Sequence, residues 1–179
     1  MLPMSEKSYK EYLEHITTFV FDVDGVLTDG TIQITSDGQM LRTMHTKDGY
    51  AMKAAIQQGY NICIISGGSN QGVKQRLNAL GVTDVYLGVG DKVEQLDEYF
   101  DIYGIKSENT VYMGDDIPDI HVMKMVGLPC CPNDAVAEIK DLSLYVSHKK
   151  GGKGCVRDII EQVMRVQGKW LRSEDARYD

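Results

Sequence analysis

Thr18-Phe19-Val20-Phe21-Asp22-Val23-Asp24-Gly25-Val26-Leu27-Thr28-Asp29 decides the fold. Its first four residues are apolar or β-favouring, too few for an ordinary helix, and two carboxylates and a glycine close the run. It reads as a buried strand that delivers Asp22 and Asp24 to its carboxyl end. Two carboxylates two residues apart can face one centre if the chain turns there, and Gly25 permits the turn. Crowding them is electrostatically costly and calls for a cation.

The same grammar recurs along the chain. Ile62-Cys63-Ile64-Ile65 leads to Ser66-Gly67, Val85-Tyr86-Leu87 to Gly88 through Lys92, and Val111-Tyr112-Met113 to Gly114-Asp115-Asp116-Ile117-Pro118-Asp119. Helical spacing predicts helices over Asp48 to Gln58, Gln71 to Leu80, Lys92 to Tyr103 and Ile117 to Val126; Val93, Leu96, Phe100 and Tyr103 form one such stripe. Alternating strands and helices predict an α/β fold. It is a Rossmann-like, mostly parallel sheet with helices on both faces and its chemistry outside the carboxyl ends of the strands. One segment breaks the rhythm: Thr31 to Ile34 and Met40 to Met44 flank an Asp37-Gly38 turn. This is a small β-hairpin flap, about residues 30–46, and no large cap domain is expected.

Composition sets the outer limits. The 179 residues are 42% hydrophobic and 25% charged, with 18 glycines and 4 prolines, which predicts one domain over residues 1–179. At this length folding buries roughly 70% of the unfolded chain's surface, so no staples are needed. The net charge of −7, from 26 acidic against 19 basic residues without a basic block, argues against a nucleic-acid or membrane partner. There is no apolar run long enough to span a bilayer and no signal-like start, so the cytoplasm is the expected address. The four cysteines show neither a disulfide framework nor a metal pair. Met1 to His15 and the charged tail Leu171 to Asp179 read as peripheral segments.

The chemistry lies in what the strand ends gather. Asp22 and Asp24 with the Asp115, Asp116 and Asp119 cluster offer hard oxygen ligands suited to Mg²⁺. The hydroxyl of Ser66 and the cation of Lys92 add what a transferring phosphoryl group needs, positioning and charge stabilisation. Each piece alone is an ordinary turn, cap or surface residue; their order at four successive strand ends carries the reading.

On Asp22-Val23-Asp24-Gly25, Ser66-Gly67, Lys92 and Gly114-Asp115-Asp116 with Asp119, the chain resembles the haloacid dehalogenase superfamily of phosphohydrolases over most of its length. The resemblance implies that Asp22 is a nucleophile forming an aspartyl phosphate and that Asp24 protonates the leaving alkoxide and then activates water. It also implies Mg²⁺ held by Asp22, the Asp24 main-chain carbonyl and Asp115, with phosphoryl oxygens bound at Ser66, Gly67 and Lys92. Asp119 would orient Lys92, and Asp116 would support the metal shell. An acid at position 24 favours phosphate transfer over dehalogenation, since only an alkoxide needs a proton.

Thr28-Asp29-Gly30 with the flap, Thr46-Lys47-Asp48-Gly49-Tyr50-Ala51-Met52, and Lys150-Gly151-Gly152-Lys153-Gly154-Cys155-Val156-Arg157 narrow the resemblance to the nearly capless 3-deoxy-D-manno-octulosonate 8-phosphate (KDO 8-phosphate) phosphatases. That family implies a small sugar-acid phosphate substrate, a lipopolysaccharide precursor pathway, and a homotetramer with sites near subunit interfaces. It also implies a glycine-rich tail, about residues 149–179, acting as a mobile gate, with Lys47 and Arg157 as candidates for the substrate's carboxylate or sugar end. The chain departs from the family in carrying Lys47 and Gly68 where arginines are common; a lysine is a point charge where arginine is a fork. Alternatives are a nine-carbon, sialic-type acid phosphate as substrate, a sugar phosphomutase, or a non-catalytic assembly module of the same fold. His45 and His121 read as ordinary histidines, and Met40 and Met52 as filler. Ile32, Ile34, Leu41 and Met44 point to subunit contact, because a short flap cannot bury them alone.

Overall fold

The computed structural model describes residues 8–171. In chain order the elements begin with α1 (Tyr9–Leu13), β1 (Thr18–Phe21), the hairpin strands β2 (Gln33–Ile34) and β3 (Met40–Leu41), α2 (Thr46–Gln57), β4 (Asn61–Ser66) and α3 (Gln71–Ala79). They continue with β5 (Asp84–Leu87), α4 (Lys92–Tyr103), β6 (Thr110–Met113), α5 (Ile120–Met123), β7 (Leu128–Cys131), α6 (Ala137–Leu142), β8 (Tyr145–Val146) and α7 (Cys155–Val166).

Six strands form one parallel sheet in the order β5-β4-β1-β6-β7-β8, and β2 and β3 pair antiparallel beside it. The α/β architecture with its small hairpin is the one the sequence pattern predicts. The chain leaves β1 toward β4 and β5, then returns to β6 on the other side. β1 therefore stands at the topological switch point, where a crevice opens at the strand ends.

The inner strands β1, β4 and β6 are apolar on both faces because both are covered. Phe19, Phe21, Ile62, Ile64, Val111 and Met113 belong to one core, with Ala51, Met52 and Ala55 of α2 and Val156, Ile159, Ile160 and Val163 of α7. The alternate residues Val20, Cys63, Ile65 and Tyr112 belong to the other, with Leu96, Tyr99 and Phe100 of α4 and Val122 and Met123 of α5. This two-residue alternation divides each strand between two helical layers. All four cysteines are buried and free, as packing residues.

Two expectations need correcting. Ile117 to Val126 is not one helix: Pro118 sits in a 3-10 turn over Ile117–Asp119, and only Ile120–Met123 is α-helical. The proline has no N–H to donate and favours the start of a turn. The segment before β1 is not merely peripheral either. Ser8 caps α1 in a reciprocal capping box with Glu11, and Leu13 and Ile16 are buried in the first core. The N-terminal residues 1–7 and the tail residues 172–179, also expected to be peripheral, lie outside the described residues.

Candidate active site

Asp22 follows β1 directly in extended backbone, and the next residues wind into a tight turn over Val23–Leu27. Gly25 makes the turn possible with φ +83°, and a Cβ there would overlap the Asp115 carboxylate. Glycine thus allows the β1 turn and the β6 loop to meet closely. Gly151 and Gly152 pack behind the turn: a Cβ on Gly151 would overlap the Gly25 carbonyl, and Gly152 donates its N–H to the Val26 carbonyl at 2.9 Å. The Cys155 thiol donates to that same carbonyl at 3.2 Å. Gly151 and Gly152 are both buried. The stretch expected to be a mobile gate is, at these glycines, a brace against the back of the site, with Lys149, Lys150 and Lys153 exposed beside it.

A cavity of about 310 Å³ opens at the sheet edge, lined by Asp22, Asp24, Ser66, Gly67, Lys92, Asp115, Asp116 and Asp119 among others. Residues from four strand ends therefore converge as the sequence order predicts. Lys92 Nζ donates to Asp22 Oδ2 and to Asp119 Oδ1, each at 2.7 Å. Tyr112 OH also donates to Asp119 Oδ1 at 2.9 Å, and the Asp115 N–H donates to Asp119 Oδ2 at 3.1 Å. Asp22 Oδ1 accepts from the Val23 N–H at 2.6 Å.

Carboxylate oxygens of Asp22, Asp115 and Asp119 lie within 4.8 Å of one another. One lysine does not offset three carboxylates. Burial, then the charge of Asp119, pushes Asp22 up to about 6, against the pull of Lys92. Burial, then Asp22, Asp119 and Asp116, pushes Asp115 up to about 7. Burial works against the Lys92 ammonium, but Asp22 and Asp119 outweigh it and raise its pKa. This all-oxygen, charge-deficient donor set fits a hard divalent cation. Both Asp119 oxygens are already committed to Lys92, Tyr112 and the Asp115 N–H. Asp119, with three hydrogen bonds on its two oxygens against one on each oxygen of Asp22, is the brace that holds Lys92, and Asp22 and Asp115 face the cavity as the candidate metal donors.

The remaining candidates divide. Ser66 is buried at the end of β4, and its Oγ accepts from the Gly68 N–H at 3.3 Å. Asp116 is exposed on the rim and caps the following turn through Ile117 N–H at 2.8 Å. Lys47 and Arg157 are not in this cavity; they line a second one of about 470 Å³ with His45, His148, Lys149 and Lys153. The Arg157 guanidinium is paired with Glu161 at 3.1 Å and lies over the rings of Trp170 and Tyr50. Its backbone N–H binds the buried carboxylate of Asp48 at 2.7 Å.

A residue of the flap escaped sequence reading. Arg42, just beyond β3 of the flap, grips both oxygens of the Asp24 carboxylate, Nε to Oδ1 at 2.7 Å and Nη2 to Oδ2 at 3.0 Å. No spacing rule signals it, because the contact depends on how the flap folds back over the strand ends.

A doubly wound parallel sheet with an aspartate pair after β1 and an acidic loop after β6 is the arrangement of a haloacid dehalogenase-like hydrolase, and the family model of that description matches residues 81–159. The KDO 8-phosphate phosphatase KdsC of Salmonella typhi is 34% identical over 156 residues, spanning 87% of this chain and 83% of that protein. The crystal structure of the Moraxella catarrhalis KDO 8-phosphate phosphatase, in complex with magnesium, phosphate and KDO, superposes with a TM-score of 0.87 at 30% identity, covering 90% of this chain and 93% of the other. The cobalt-bound phosphatase of Haemophilus influenzae gives 0.87 at 27% identity, covering 92% and 98%. The chain belongs to the KDO 8-phosphate phosphatase family, within the haloacid dehalogenase-like hydrolases, and is a phosphoric monoester hydrolase. Among the described residues no helix is long and apolar enough to cross a membrane.

Proposed function

We propose that the protein hydrolyses 3-deoxy-D-manno-octulosonate 8-phosphate to the free sugar acid and phosphate, with Mg²⁺, in the cytoplasm and in lipopolysaccharide precursor synthesis. The observation that carries the reading is the convergence of Asp22, Asp115, Lys92 and Ser66 on one cavity, in a chain whose relatives bear that substrate's name.

In this reading an Asp22 oxygen attacks phosphorus, the bond to the sugar oxygen breaks, and Asp24 gives its proton to the departing alkoxide. Asp24 then takes a proton from water, which attacks the aspartyl phosphate and releases phosphate with Asp22 restored. Ser66, Gly67 and Lys92 bind the phosphoryl oxygens, Asp119 holds Lys92, and Asp116 supports the metal shell from the rim. Asp22, Asp115 and the Asp24 main-chain carbonyl would hold Mg²⁺, which when bound offsets the repulsion between a carboxylate and a dianionic ester.

Lys47 and Arg157 remain the proposed partners of the substrate's acid end. Since they line a separate cavity, the proposal places this contact in a homotetramer with sites near subunit interfaces. The apolar flap residues Ile34, Met40 and Leu41, all exposed in the single chain, support such an assembly. The working unit is one domain over residues 1–179, with the flap about residues 30–46 and the tail about 149–179.

The test is kcat/KM with Mg²⁺ for the eight-carbon acid phosphate beside nine-carbon acid phosphates and simple sugar phosphates, with Asp22→Asn as the blank. A preference of ~100-fold, about 2.7 kcal/mol of transition-state discrimination, is expected. A flat profile removes the assigned sugar. Turnover by a folded Asp22→Asn protein removes Asp22 from the nucleophile role.

A further inference from the structure

The flap is fastened to the site by two polar contacts of different kinds. Arg42 forms the bidentate pair with Asp24, and its side chain is only 8% exposed against 33% for its partner. Two residues before Arg42, in β3, the Met40 carbonyl accepts from Asn70 Nδ2 at 2.8 Å. The other end of the Asn70 amide caps α3, Oδ1 accepting from the Val73 N–H at 3.0 Å. Asn70 thus ties β3 to the rigid start of a helix, and β3 carries Arg42 over the cavity rim.

Asp24 needs such a hold. It sits in a turn rather than in a strand, and among the described residues its carboxylate has, beyond Arg42, one long hydrogen bond, from Thr28 Oγ1 at 3.5 Å. Gly68 leaves room for the guanidinium: the point where its Cβ would lie is 3.3 Å from Arg42 Nη2, 3.3 Å from Asp24 Oδ2 and 3.7 Å from Ser66 Oγ. A planar fork on both carboxylate oxygens fixes the plane of the group as well as its place, which a single point charge does not.

We propose that Arg42 is a positioning residue for Asp24, and that Asn70 sets the flap strand from which it acts. The proposal rests on the reading of Asp24 as the proton donor to the leaving group. A loss confined to that role has a specific signature. Turnover of an alkyl ester, whose alkoxide leaves poorly, depends on proton delivery, whereas p-nitrophenolate leaves without it. The ratio of kcat/KM for the two ester types reports the step in which the leaving group departs.

The experiment compares the eight-carbon sugar phosphate with p-nitrophenyl phosphate, both with saturating Mg²⁺, in wild type, Arg42→Ala, Arg42→Lys, Asn70→Asp and Asp24→Asn. Arg42→Ala is expected to lower kcat/KM about 10- to 100-fold for the sugar phosphate and less than about 3-fold for the aryl ester, a partial loss of the roughly 10²- to 10⁴-fold that general acid catalysis supplies. Arg42→Lys recovers part of the loss. Asn70→Asp keeps an acceptor for the helix cap but loses the donor to Met40, and shifts the same ratio by a smaller factor. An equal fall on both esters in Arg42→Ala overturns the proposal in favour of phosphoryl binding or a structural role. An unchanged or faster alkyl ester overturns it as well. An unmoved ratio in Asn70→Asp removes Asn70 from the arrangement. Failure of the underlying reading shows separately, as an equal fall on both esters in Asp24→Asn.

Discussion

Replacing Lys92 by methionine keeps most of the side chain's length and removes the ammonium that lies 2.7 Å from both Asp22 and Asp119. Those carboxylates are little exposed, at 12% and 1% of their side-chain surface, so water cannot take over the lost contact. Breaking a buried pair by removing one partner costs about 3–5 kcal/mol, and here one cation serves two carboxylates. We expect a loss of that order in urea unfolding of the metal-free protein at pH 7.5, read as a lower midpoint at unchanged slope. The sign of the pH dependence follows from linkage. Without the ammonium the folded state favours the protonated Asp22 carboxyl more strongly, its folded pKa rises further above the unfolded one, and the deficit is relieved by acid. The loss therefore shrinks between pH 7.5 and pH 5.5. A loss under about 1 kcal/mol, well below the buried-pair range, or a deficit that grows on acidification, refutes the account of Lys92 as the charge that makes this carboxylate cluster tolerable.

Two further outcomes follow from the same geometry. Asp22 and Asp115, raised to about 6 and about 7, contribute stability below their unfolded values that is lost as pH rises through their folded ones. Protons and Mg²⁺ compete for the same oxygens, so the Mg²⁺-induced rise in Tm should be larger at pH 8 than at pH 5.5; an equal rise at both would place the metal elsewhere. Gly151→Ala forces a Cβ into the Gly25 carbonyl and should cost about 1–3 kcal/mol, the usual range for overpacking, with kcat falling as the turn shifts. A variant with wild-type Tm and kcat would restore the glycine stretch as a free gate.

The strands β1, β4, β5 and β6 were legible because each is a short apolar run ended by Gly, Ser or Asp, a pattern set by burial in the sheet and chemistry at one end. β7 was harder, since Pro129 inside Leu128–Cys131 demotes a strand by the usual rule. The helix expected over Ile117 to Val126 failed for the opposite reason: its apolar spacing outweighed Pro118 in the reading but not in the chain. At the site, Asp22, Ser66, Lys92 and Asp115 were visible because each stands at, or within a few residues of, the carboxyl end of its own strand. Arg42 and Asn70 were not, because their partners are supplied by the folding back of the flap. Lys47 and Arg157 share the flanks of one groove without sharing the Asp22 cavity, a distinction that depends on helix placement and not on local pattern.

The brace behind Gly25 also bears on how the enzyme is born. Asp22 leaves the ribosome well before Gly151, Gly152 and Cys155, which complete the turn that follows it. Domains fold as units while synthesis runs from the N-terminus. A nascent chain interrupted before residue 151 carries every acidic residue that lines the cavity and still lacks the backing of the turn after Asp22. The turn at the site is thus complete only once residues 151–155 have been made.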